Sequence, residues 1–312
     1  MIASGPFANA NVLVTGGAGF IGSHLVQRLL SQRARVTVLD NFSRTSSDSP
    51  LHYTGDSVRL IRGDIRDRDC VEAACAGQDV VFHLAAQSSV MRAAADWDES
   101  FTSNVAGTFE VLRAAKLMGA KHCVFASSRE VYGDPARLPV AEDAPLNPKN
   151  AYGVSKLAGE LYCRAFEDDL FRVSVLRLAN VYGPGDLGRV IPLFLGQAVR
   201  NEDLVLYGGG QVLDFVWIHT VVDAFLSVAL SKAPTGPLNI GSGAGITVQD
   251  LARRIVNLSG SRSRIIVEPA RSVETVGFIA DITNAKQKLH IDVPDQALDY
   301  LPLLFDSVTQ PA

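Results

Sequence analysis

The sequence predicts an α/β protein: a doubly wound parallel sheet with helices on both faces, followed by a smaller C-terminal α/β lobe. Three observations predict it. Short β-branched runs alternate with amphipathic helical stretches through the first half of the chain, as βαβ units do. A glycine-rich turn joins the first such run to the first helical stretch. Past about residue 178 the segments shorten and become richer in Gly and Pro, which marks a change of architecture.

The strands are expected at residues 12–15, 35–40, 58–62, 79–83, 122–127 and 173–178. The helical stretches between them are 20–32, 67–76, 98–118 and 150–168. Their connections should be right-handed crossovers. Helical spacing recurs at 189–200, 220–231 and 248–258, punctuated by Gly183-Pro184-Gly185, Gly208-Gly209-Gly210 and Gly241-Ser242-Gly243. We therefore expect a domain at 1–178 and a second at 179–312, interleaved with the first. Residues 1–10 read as a loose lead-in and 44–50 as a polar loop.

Composition narrows the function classes. With 47% hydrophobic and 20% charged residues in 312, the chain can bury a core without staples. A net charge of −4 gives no footprint for nucleic acid or an anionic membrane. Apolar runs are too short for a membrane span. The N-terminal stretch has no leading positive charge and is broken by Asn9 and Asn11, unlike a secretory signal. Cys70, Cys75, Cys123 and Cys163 are too few and scattered for a disulfide scaffold or zinc site and fit a reducing cytoplasm.

Thr15-Gly16-Gly17-Ala18-Gly19-Phe20-Ile21-Gly22 follows the first strand and opens the first helix. Gly16 permits the tight turn, Gly19 lets a pyrophosphate approach the backbone, and Gly22 allows close helix–sheet packing. The N–H groups at Phe20 and Ile21 sit at the positive end of the helix. Asp40 ends the second strand, 18 residues after Gly22. A carboxylate there accepts from ribose hydroxyls and repels a 2′-phosphate, favouring NAD over NADP. Asn41, Ser43 and Arg44 follow it and are candidates for the same site, although Arg44 tempers the exclusion of NADP. Asp64, with Ile65 after it, follows the third strand and is placed to reach the adenine; a plain turn Asp is the alternative.

Tyr152 and Lys156 stand four apart in a predicted helix and so share a face. A tyrosine hydroxyl, with a pKa of about 10, is too weakly acidic to serve as a base at neutral pH. A neighbouring ammonium favours the phenolate, which can take an alcohol proton while hydride leaves the same carbon. Ser128 ends the fifth strand, where ligands of parallel sheets bind, and can hydrogen-bond a reacting oxygen. Glu130 either enters the site or pairs with Arg129.

These residues lie in a chain that resembles the extended short-chain dehydrogenase/reductases, in the NAD-dependent nucleotide-sugar epimerase/dehydratase branch. The resemblance spans about residues 11–289. It rests on TGGAGFIGSH from Thr15, GDIRD from Gly63, HLAAQ from His83, NVAGT from Asn104, SSREVYG from Ser127, AYGVSK from Ala151 and RLANVYGPG from Arg177. It implies a Rossmann-type sheet, bound NAD, a nucleotide-diphosphate sugar substrate and a homodimer. It implies that Ser128, Tyr152 and Lys156 are catalytic, that Asn104 supports them, and that Leu84, Ala85 and Ala86 line the cofactor cleft. It puts Asn180, Arg189, Val190, Tyr207, Arg271 and Glu274 on the nucleotide sugar. It also implies that helices 98–118 and 150–168 pair across the dimer, with Phe101, Val105, Leu112, Leu161 and Phe166 supplying apolar content.

The chain departs from the family pattern in three places. Leu213 stands where an Arg usually precedes Asp214-Phe215, removing one diphosphate contact. Arg129 and Glu130 replace the small or hydroxyl residues of simple 4-epimerases; Glu130 resembles dehydratases and uronate decarboxylases, but Arg129 replaces the Asp of 4,6-dehydratases. The tail from His290 does not follow the family's final helix, although Leu301, Leu304, Phe305 and Val308 keep an apolar spacing. The expected activity is 4-epimerisation through a 4-keto sugar. Dehydration or uronate decarboxylation using Glu130, or a non-catalytic NAD-binding regulator, are the alternatives.

Overall fold

Seven strands form one all-parallel sheet. In chain order they are β1 (Asn11–Thr15), β2 (Arg35–Asp40), β3 (Val58–Arg62), β4 (Val80–His83), β5 (His122–Ser128) and β6 (Arg172–Leu178), with a late seventh strand at Leu238–Ile240. The spatial order is β3-β2-β1-β4-β5-β6 followed by the late strand, which pairs with β6. This computed structural model describes residues 5–44, 58–231, 236–294 and 296–309. Residues 1–4 of the lead-in, most of the 44–50 loop and the side chain of Val308 lie outside the described residues.

Alternation within the strands builds two cores. Val12 and Val14 of β1 belong to one buried cluster and Leu13 to the other, because successive side chains point to opposite faces. Helix α1 (Phe20–Ser31) contributes Leu25, Val26 and Leu29 to the first cluster. Helix α2 (Arg68–Cys75) contributes Val71, Ala74 and Cys75 to the second. Both faces are covered, which is why the central strands read as continuous apolar runs.

The region expected as one helix over 98–118 is divided into several pieces. A short helix α3 (Val90–Ala95), absent from the sequence reading, precedes α4 (Trp97–Phe101); a π-helical stretch, Thr102–Ala106, leads into α5 (Gly107–Leu117). Such wide turns recur at functional sites, and this one holds Asn104 buried. Helix α6 (Ala151–Phe166) packs against α5 and the π turn.

The smaller lobe uses short pieces. Strands β7 (Asn180–Tyr182), β8 (Leu204–Tyr207) and β9 (Val212–Trp217) alternate with helices α7 (Val190–Val199) and α8 (Ile218–Leu230). The late strand, β10, precedes β11 (Gly245–Thr247), α9 (Val248–Ser259) and β12 (Ile265–Glu268). The order β11-β9-β7 makes one small sheet and β12-β8 another. Asp214, fully buried in β9, binds these pieces together: its carboxylate accepts from the Ser242 N–H and hydroxyl at 2.7 Å each, the Gly243 N–H at 3.1 Å and the Ala280 N–H at 3.0 Å. Helices α10 (Thr283–Leu289) and α11 (Leu301–Thr309) follow, and Leu301 and Leu304 are buried in the core. Among the described residues no helix is long and apolar enough to cross a membrane.

Candidate active site

The strand order reverses between β1 and β4, and the loops after these strands diverge there. A cavity of about 440 Å³ opens along the carboxyl ends of the sheet at this switch point. The glycine turn and residues 84–86 form its two walls, and they touch. A Cβ on Gly16, whose φ is +70°, would lie 2.6 Å from the Ala85 nitrogen. A Cβ on Gly22 would lie 2.1 Å from the Gly16 carbonyl oxygen. Only glycine fits either position.

Helix α1 begins at this turn with Gly19 as its N-cap and no side-chain cap. Its first-turn N–H groups therefore remain for a ligand. Asp40 reaches back to the turn, its carboxylate accepting from the Ala18 N–H at 2.9 Å and the Phe42 N–H at 2.8 Å. Burial raises its pKa, and these two bonds oppose the rise. Asp64 accepts from both Arg66 and Asn41, with Arg66 the main reason its pKa falls to about 2. A further feature is the Gln87 Oε1 atom on the cavity wall, which is buried without a hydrogen-bond partner among the described residues. An uncapped helix end, a glycine cradle, a strand-end carboxylate and an orphaned acceptor fit a dinucleotide.

At the other end of the cavity stand Ser128, Tyr152 and Lys156. Asn150 caps α6 by accepting from the Gly153 N–H at 2.8 Å, and this fixes the turn that carries Tyr152. Burial pushes the Tyr152 hydroxyl up to about 12; Arg189, the Ser128 hydroxyl and Arg129 work against the rise, and Glu130 adds to it. Lys156 is pulled down to about 8, chiefly by burial. Its Nζ donates to the Ala126 carbonyl at 2.9 Å and lies 5.9 Å from the Tyr152 ring centre. The resting site thus holds a neutral phenol beside an ammonium, and further positive charge nearby favours the phenolate.

The cavity brings together Gly16, Gly19, Phe20, Ile21, Gly22, Asp40, Asn41, Ser43, Arg44, Asp64, Ile65, Leu84, Ala85, Ala86, Ser128, Glu130, Tyr152, Lys156, Asn180 and Arg189. Asn104 lies behind the wall. It is fully buried in the π turn, accepting from the Gln87 N–H at 2.7 Å and donating to the Gln87 carbonyl and Ser155 hydroxyl at 2.9 Å each. Val190 opens α7 beyond the cavity lining. Tyr207, Arg271 and Glu274 form a separate cluster: the Arg271 guanidinium stacks 3.6 Å from the Tyr207 ring centre and pairs with Glu274 at 3.4 Å.

Among the lining residues that escaped the sequence reading, three carry charge that bears on the site. Asp186, buried and paired with Arg189 at 3.0 Å, has its pKa raised to about 6 by burial. Arg92 and Glu99, which pair at 3.0 Å, come from α3 and α4. Nothing in their sequence spacing marks them, because loop and helix packing alone turns them inward. Gln87 carried a signal in HLAAQ. Glu130 satisfies both of its expected alternatives, lining the cavity while pairing with Arg129 at 2.9 Å.

Comparison with known proteins decides the family. A model of the NAD dependent epimerase/dehydratase family matches residues 12–241. The chain belongs to this family. It is 34% identical over 285 residues to the UDP-N-acetyl-alpha-D-glucosaminuronate decarboxylase of Bacillus cytotoxicus, covering 88% of each chain. Its fold resembles the UDP-glucose 4-epimerase of Thermotoga maritima solved with UDP-glucose, with TM-score 0.89, 31% identity, and 96% and 98% of the two chains covered. It also resembles MoeE5 solved with UDP-glucuronic acid and NAD, with TM-score 0.86, 31% identity, and 96% and 99% coverage. The relatives therefore include both epimerases and decarboxylases, and structural relatives bind NAD and UDP-sugars.

Proposed function

We propose that this family member is an NAD-dependent nucleotide-sugar 4-epimerase. One observation argues against elimination. Glu130, two residues after Ser128, is buried with both oxygens engaged: Oε1 pairs with Arg129 at 2.9 Å and Oε2 accepts from Asn150 at 2.7 Å. Elimination needs a carboxylate free to take a carbon-bound proton. Epimerisation at C4 through a ketone needs none; loss of CO₂ from a 4-keto uronate needs none either, and the UDP-uronates in the test below separate those two.

NAD, when bound along the glycine turn, supplies the hydride acceptor for C4 and gives the hydride back. Tyr152, as phenolate, takes the proton of the sugar 4-hydroxyl. Ser128 hydrogen-bonds that oxygen as it becomes a carbonyl, and Lys156 holds the phenolate charge. The 4-keto sugar then presents its opposite face, and Tyr152 returns the proton. Asp40 favours NAD over NADP. Arg189 and Asn180 hold the sugar diphosphate, while Tyr207, Arg271 and Glu274 meet the nucleotide once Arg271 leaves the Tyr207 ring. We further propose a homodimer through α4, α5 and α6, where Trp97, Phe101 and Leu161 are exposed. Leu112, expected on that surface, is instead fully buried in the core.

The test is turnover in deuterated water with UDP-hexoses and UDP-uronates. Epimerisation should leave the C5 hydrogen unexchanged, and Tyr152→Phe should lower turnover at least 10²-fold, the scale of a lost general base. Loss of the C5 hydrogen, or a product lacking water or CO₂, would discard the epimerase reading.

A further inference from the structure

Asn150 touches three parts of the site at once. Its Oδ1 caps α6 through the N–H of Gly153, the residue after Tyr152, at 2.8 Å. Its Nδ2 donates to Glu130 Oε2 at 2.7 Å and to the Val273 carbonyl at 3.3 Å. An amide carries two such hydrogens, so both are used. The junction has no slack: a Cβ on Gly153 would lie 2.4 Å from the Glu130 carbonyl oxygen.

Val273 belongs to a segment docked onto the catalytic lobe by several bonds. Lys149 donates to the Glu274 carbonyl at 2.9 Å and pairs with Asp134 at 2.8 Å. Asp134 accepts from the Val276 N–H at 2.8 Å, and Arg129 donates to the Thr275 hydroxyl at 2.6 Å. The same segment carries Arg271 and Glu274, which face Tyr207 rather than the catalytic cavity.

We propose that Asn150 is a positioning residue that couples the docked 271–276 segment, and so the nucleotide end of the substrate, to the placement of Tyr152. Glu130 serves as the fixed acceptor that orients the Asn150 amide. This rests on the epimerase reading, in which Glu130 is not a base. Binding energy from the remote nucleotide is then used to set the phenol against the sugar, so a substrate lacking the nucleotide loses turnover as well as affinity.

Asn150→Ser separates the two roles, because serine caps a helix well but is too short to bridge Glu130 and Val273. The UDP-sugar that the wild type converts is compared with the corresponding free sugar, and UDP affinity is measured by calorimetry. With Asn150→Ser, kcat on the UDP-sugar should fall about 10–100-fold, the scale of an ångström-level misplacement. Turnover of the free sugar and affinity for UDP should stay within about threefold of wild type, a selective loss that a purely structural role would not produce. Glu130→Gln offers one acceptor oxygen to two donors, Arg129 and Asn150, so it should lower kcat on the UDP-sugar in the same direction as Asn150→Ser while UDP affinity stays within about threefold. Wild-type kcat for Asn150→Ser with Glu130→Gln also active overturns the coupling alone. UDP affinity falling in step with kcat overturns it too, since Asn150 would then simply belong to the nucleotide site. Collapse of Glu130→Gln with Asn150→Ser active overturns both the coupling and the reading of Glu130.

Discussion

Asp40→Asn should weaken the fold and the cofactor preference together. The carboxylate accepts one backbone N–H with each oxygen, from Ala18 at 2.9 Å and Phe42 at 2.8 Å. Bonds to a charged acceptor contribute about 1.5–3 kcal/mol each, and neutral ones about half of that. Asparagine can accept with one atom only, so one bond is lost and the other weakened, a gross loss of roughly 2–4 kcal/mol. Burial opposes ionisation of Asp40 and raises its pKa, so removing the charge regains part of that penalty. A net loss of about 1–3 kcal/mol remains. At about 2.1 cal/mol/K per residue, 312 residues give an unfolding entropy near 0.65 kcal/mol/K. The melting temperature of the cofactor-free variant should therefore fall by about 2–5 °C. Calorimetry should show NADP affinity rising relative to NAD as the opposing charge disappears. An unchanged melting temperature with undiminished exclusion of NADP would refute the argument on both counts.

Acid should destabilise the protein through two buried histidines. Burial depresses His83 to about 3 and His122 to about 4, with Lys156 and Arg172 adding to the respective shifts. Their unfolded pKa is near 6.5, so the unfolded chain binds more protons as pH falls below that value. Their contribution is present above pH 6.5 and is lost toward pH 4, at up to about 1.4 kcal/mol per pH unit for each histidine. Denaturant midpoints measured from pH 7 to 4.5 should show this slope, and His122→Asn should flatten it. Gly16→Ala should abolish NAD binding, measured by calorimetry, because its Cβ meets Ala85 at a φ of +70°. Leu161→Asp should convert the proposed dimer to a monomer by light scattering, since Leu161 is 60% exposed on α6; a wild type that is already monomeric at micromolar concentration sinks the dimer.

The sequence by itself determined the parallel sheet and the dinucleotide cradle. Both rest on local chemistry: the period of the apolar residues sets strand or helix, and a glycine turn between a strand and a helix has few physical alternatives. The four-residue spacing of Tyr152 and Lys156 likewise puts them on one helical face without any tertiary information. The second half was less legible, because its short strands pair with partners distant in sequence. Only the tertiary structure returns residues 238–240 to the edge of the main sheet beside β6. Packing also decided which candidates meet. Asn104 is turned behind the wall by a π turn that no periodicity reveals, whereas Asp186, Arg92 and Glu99 are brought to the cavity from separate segments. The state of Glu130 was decided in the same way. Its residue type alone allows a base, and only the contacts from Arg129 and Asn150 make it an engaged, buried acceptor. Such contacts join segments that the chain's local preferences leave independent, so they become visible only once the fold has closed.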